Sequence, residues 1–129
     1  MKVKKLSELE SYHLEWESFK DGDFFAEDIE DENLYYERLF VLVDQANVIY
    51  AMAYLYDEED DGTLEVDMLT SKADEQQITY IKTFISLIMS EFFHKDRIMI
   101  KTRGFIDADI TQMGFSDNKQ GYLVWEKGE

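Results

Sequence analysis

The segment from Asp74 to His94, DEQQITYIKTFISLIMSEFFH, carries Ile78, Ile81, Phe84, Ile85, Ile88, Met89 and Phe92 at helical spacing. An apolar stripe that broad on one helix has to be buried, and the flanking segments say against what. Upstream, VIYAMAYLYDEE and TLEVDML alternate, are rich in aromatic and β-branched residues, and bracket the turn DEEDDG, which predicts an antiparallel hairpin. Downstream, RIMIKT reads as a strand, DADITQMGF as a short helix stopped by Gly114, and GYLVWEK as a last strand. The long helix therefore lies across a sheet.

The N-terminal part adds a first strand in KVKKL and a β-rich run in LFVLV. In SELESYHLEWESF, Leu9, Tyr12, Trp16 and Phe19 line one side of a helix that Ser7 would cap. KDGDFFAEDIEDEN reads as an acidic loop or short helix, and ENLYYERL as another short helix. The expected fold class is α/β: a mixed, mostly antiparallel sheet with helices on both faces. With 129 residues, no repeat and no Gly/Ser-rich linker, residues 1–129 form one domain.

Composition narrows the chemistry. The absence of Cys removes disulfides, thiolate nucleophiles and Zn–Cys sites, and the absence of Pro removes PxxP ligands. Asp and Glu total 29 against 13 Lys and Arg, a formal charge of -16. Residues 1–75 hold 22 acids and 6 bases, and residues 76–129 hold 7 of each, so the whole imbalance sits in the first part. Such a surface repels phosphate backbones and anionic lipid, which predicts no nucleic-acid and no membrane partner. A basic small molecule or a basic protein fits the charge. No apolar run is long enough for a span or a signal peptide, and a cytoplasmic protein is expected.

Glu65 and Asp67 alternate on TLEVDML, so both carboxylates leave one sheet face, and Tyr54 and Tyr56 on the preceding strand share it. DEEDDGTL puts Asp57, Glu59, Asp61, Gly62 and Leu64 where an EF-hand loop has positions 1, 3, 5, 6 and 8, but Met68 stands where the bidentate Glu belongs. The reading there is a solvated turn. His13 and His94 have no third ligand at useful spacing, so no metal site is expected.

The order and lengths of the elements from Val48 to Lys127 resemble the Gcn5-related N-acetyltransferases. The residues carrying the resemblance are TLEVDMLTS running into the long helix, then RIMIKT, the Gly114–Phe115 pair and the closing YLVWEK. The resemblance implies an acyl-CoA-dependent N-acetyltransferase acting on a basic amine, with Glu65 or Asp67 as general base and acetyl-CoA as co-substrate. It assigns the loop before the helix to the cofactor, at Leu69, Ser71, Gln77, Ile78 and Thr79. The family's Arg/Gln-x-x-Gly-x-Gly/Ala pattern is replaced here: Asp74 stands at the Arg/Gln position with Glu75 next to it, and Gln77 and Thr79 stand at the small-residue positions. Ile110 stands where the family often has an acidic tyrosine. The alternative reading is a non-catalytic acidic module on the same fold, meeting a basic protein or mimicking nucleic acid.

Overall fold

A computed structural model describes residues 1–11, 38–58, 62–72, 74–101 and 107–127. Residues 12–19 of the expected helix, the acidic segment 20–33, most of ENLYYERL and the tip of the hairpin turn lie outside these residues. Before them the chain makes a 3-10 turn at Leu6–Glu8 with Leu9 extended after it, so Ser7 lies inside a turn rather than at the N-cap expected of it.

Seven strands form one sheet: β1 (Lys2–Lys5), β2 (Leu39–Val43), β3 (Ile49–Glu58), β4 (Thr63–Ser71), β5 (Arg97–Lys101), β6 (Ser116–Asp117) and β7 (Tyr122–Glu126). Their order across the sheet is β1-β2-β3-β4-β5-β7-β6. Every adjacent pair is antiparallel except β4 and β5, which are parallel. A parallel pair needs a crossover, and α1 (Gln77–Glu91) supplies it. A second helix, α2 (Asp107–Thr111), leads through a turn at Gly114, whose φ of 102° is left-handed backbone suited to glycine.

The apolar stripe does what its width demands. Ile81, Phe84, Ile85 and Ile88 are buried against Leu64, Val66, Ile98, Ile100 and Leu123 from the sheet, with Ile110 of α2 in the same cluster. The opposite face has its own core of Leu39, Val41, Val43, Ile49, Met52 and Tyr54, covered by Leu6 and Leu9 of the 3-10 turn after β1. Among the described residues no helix is long and apolar enough to cross a membrane.

Two boundaries differ from the sequence reading. The long helix spans 77–91 rather than 74–94, because the Asp74 side chain and carbonyl accept the N–H groups of Gln76 and Gln77 and turn the chain before the helix begins. The two-residue strand β6 has no alternation to announce it; its pairing with Val124 and Leu123 creates it. At the β3–β4 turn Gly62 has φ 70°, and a Cβ there would lie 2.7 Å from Asp96 Oδ2. Strands flank that turn, Glu58 opposite Thr63, and Asp57 is ion-paired to the buried Lys95, so this is a hairpin and not a helix–loop–helix cation site.

Candidate active site

The register explains why polar groups collect on one part of the sheet. Glu65 lies opposite Tyr56 on β3 and beside Met99 on β5, and Asp67 lies opposite Tyr54. Because Leu64 and Val66 face α1, the alternating Glu65 and Asp67 leave the other face together, as their spacing predicts. Both are half-buried.

Tyr122 completes the group. It sits opposite Lys101 at the end of β5, and its hydroxyl reaches back across that strand to donate to Glu65 Oε1 at 2.8 Å. The bond to Glu65 raises the Tyr122 phenol above its ordinary value, with burial and the charges of Glu65 and Asp67 acting the same way. The phenol stays protonated at neutral pH and holds one carboxylate oxygen in place. Tyr122 was visible in the sequence only as an aromatic of the closing strand; its 57-residue separation from Glu65 hides the pair from any local pattern.

Beside this group the sheet forks. β4 pairs with β3 through to Ser71, but with β5 only from Thr63 to Val66. The β3–β4 register shifts between Met52 and Tyr54, two β4 residues there standing opposite Ala53 alone. This bulge explains how Leu69 joins Leu64 and Val66 in one core cluster despite its odd spacing from Val66. The bulge and the end of the β4–β5 pairing both fall within one or two residues of Asp67.

The five loop residues differ in exposure. Leu69 and Ser71 are buried, with Ser71 Oγ donating to the Lys72 carbonyl at 3.4 Å, while Gln77 and Ile78 are half-buried and Thr79 is exposed. Only backbone from this loop is available to a ligand at Leu69. Further along the Glu65 face, beyond Met99, a cavity of about 630 Å³ is lined by Arg97, Met99, Ser116, Asp117, Val124 and Glu126 among others. Among the described residues no cluster of His, Asp and Glu is arranged to hold a metal ion.

No protein-family model matches the sequence, and no curated protein is significantly similar to it. Solved structures are similar in fold. The Bacillus subtilis N-acetyltransferase YlbP in complex with coenzyme A matches over 98% of this chain and 96% of its own, at 16% identity and a TM-score of 0.59. N-acetylglutamate synthase from Neisseria gonorrhoeae matches over 82% of this chain at 13% identity and TM-score 0.60. A protein from Exiguobacterium sp. 255-15 assigned as an acetyltransferase matches over 68% at 16% identity and TM-score 0.55. This chain spans 28% of the synthase and 61% of the Exiguobacterium protein. The fold is that of the Gcn5-related N-acetyltransferases, as the resemblance implied.

Proposed function

We propose that this chain is an N-acetyltransferase for a cationic amine, with its acceptor side on the Glu65 face. The observation that carries the reading is the Glu65–Tyr122 hydrogen bond beside Asp67, at the fork between β4 and β5. An amine acceptor arrives as an ammonium ion and must lose a proton before its lone pair attacks a thioester carbonyl. Glu65, held by Tyr122, takes that proton directly or through one water, and Asp67 supplies the second negative charge that draws the ammonium in. As the tetrahedral adduct collapses it loses a second N–H proton and the departing thiolate takes up one. An ammonium and a thioester thus become an amide, a thiol and one proton that Glu65 passes to solvent.

The acyl donor fits in part. A pantetheine arm carries two amides, and the backbone of β4 beyond its pairing with β5 offers groups of the kind that pair with amides as a neighbouring strand does. The diphosphate of acetyl-CoA fits poorly: Asp74 and Glu75 stand at the start of α1, with no glycine to let backbone approach. Lys72, the nearest cation, lies 4.8 Å over the Tyr50 ring. The donor affinity expected is therefore millimolar, roughly 4 kcal/mol of binding, rather than micromolar.

The test is thiol release from acetyl-CoA supplied at millimolar concentration against polyamines, an aminoglycoside and a Lys-rich peptide. Amine-dependent release that falls about 100-fold in Glu65→Gln supports the reading. No release with any of these acceptors overturns it.

A further inference from the structure

Between β4 and α1 the chain supplies its own anion. The first N–H groups of a helix and its dipole together favour negative charge, and ligand phosphates commonly exploit this. Here Asp74 Oδ1 accepts the N–H of Gln76 at 2.8 Å, and the Asp74 carbonyl accepts that of Gln77 at 3.1 Å. Its Oδ2 accepts the Tyr80 hydroxyl at 3.2 Å. Tyr80 is buried, and its ring lies 5.1 Å from that of Tyr50, whose own hydroxyl donates to Asp44 Oδ2 at 2.9 Å. Both carboxylate oxygens of Asp74 are thus engaged, one by the turn that precedes α1 and one by a side chain anchored in the α1–sheet packing. Asp74 is exposed, and these two hydrogen bonds hold its charge beside the helix start.

We infer that Asp74 is an internal anion occupying the place of a donor's diphosphate, so that the site selects thioesters by their amide-containing arm and not by a nucleotide. The inference rests on the acyltransferase reading and names the donor class for it: pantetheine-type thioesters, with or without the nucleotide. A second anion brought to the same helix start meets Asp74 at a few ångströms and finds the Gln76 N–H already engaged. Glu75 adds to the repulsion. The nucleotide half of acetyl-CoA then contributes little to binding, and the two amides of the arm contribute most of it.

The experiment is an amide-resolved NMR titration of the whole chain with two probes, coenzyme A and pantetheine, repeated on Asp74→Ser. Serine retains a side-chain oxygen able to accept the Gln76 N–H, so the variant keeps the turn before the helix without the charge. In the unmodified protein the two probes should bind within about threefold of one another, moving Leu69 and Ser71 amides and leaving Gln76 and Gln77 in place. In Asp74→Ser, coenzyme A should bind about tenfold tighter and move Gln76 and Gln77, with pantetheine unchanged. Coenzyme A binding more than about 30-fold tighter than pantetheine in the unmodified protein overturns the inference, as does an Asp74→Ser variant with no gain for coenzyme A. If neither probe moves Leu69 or Ser71 in either protein, the acyltransferase reading falls. The gain at Gln76 and Gln77 in the variant still decides the role of Asp74.

Discussion

Two tyrosine–carboxylate pairs sit at opposite ends of the β4–α1 junction, and they are built differently. Glu65 and Tyr122 are 57 residues apart and meet only because β5 lies between their strands. Asp74 and Tyr80 are six apart and meet within one turn and the start of a helix. Asp44 and Tyr50 repeat the six-residue arrangement at the β2–β3 turn, where Asp44 also accepts the N–H groups of Ala46 and Val48. Short-range pairs of this kind shape the local chain. The long-range pair exists only in the assembled sheet, and a group that exists only in the assembled fold is the one free to do chemistry on a ligand.

Titration separates them in the same way. For Tyr122 the first cause of the raised value is the bond to Glu65, whereas for Tyr80 it is burial, with Asp74 second. Asp44 is held below the usual carboxylate range, first by the Val48 N–H. Tyr122 is governed first by its long-range partner, whereas Tyr80 is governed mainly by where the core puts it.

The largest way to break the comparison is to remove what positions both pairs. Phe84 is fully buried on α1 among Ile81, Ile85, Ile88 and the sheet residues. Phe84→Ala should cost roughly 3–5 kcal/mol by lost transfer and cavity formation, read from a urea titration. A loss below about 0.5 kcal/mol would mean that α1 is not the element holding the two ends together.

Next comes the activity contrast. In the amine-acetylation assay Asp74→Asn should leave kcat unchanged, while Glu65→Gln lowers kcat about 100-fold or more, since only Glu65 handles a proton. Asp67→Asn should act mainly on KM for the amine, by roughly tenfold, through loss of attraction rather than of proton transfer. Equal losses in Glu65→Gln and Asp74→Asn would erase the distinction between a reacting carboxylate and a structural one.

How far the sequence carried these conclusions follows from the range of each interaction. The stripe on α1, the β3–β4 hairpin and the shared face of Glu65 and Asp67 all follow from periods of 3.6 and 2, and the structure has them. The start of α1 was misjudged by three residues, because Asp74 reads equally well as first-turn acid or as the residue that caps a preceding turn. Leu69 stands at the odd spacing of Glu65 and Asp67, yet its side chain is core, because the bulge in β4 inverts the alternation there. Bulges leave no period to read. Tyr122 escaped altogether, since its partner is chosen by the strand order and not by spacing.

The smallest expected effect is the sharpest discriminator, and it needs no substrate. Both phenols have folded values above the ordinary tyrosine value of about 10, so both pairs favour the protonated phenol. Their contribution to stability is complete below that ordinary value and is lost as pH rises through the folded one. Titrating selectively labelled tyrosine rings by NMR between about pH 8 and 12 follows each phenol separately. Glu65→Gln removes the leading cause at Tyr122, so its value should fall back most of the way toward the ordinary one, leaving only burial and the charge of Asp67. Asp74→Asn acts on the second and third causes at Tyr80, the hydrogen bond and the charge of Asp74, so that phenol should remain raised, held up by burial. A Tyr122 value that does not move in Glu65→Gln would mean the 2.8 Å bond is not the interaction that organises this site. A Tyr80 value that collapses in Asp74→Asn would make the two ends of the junction alike after all.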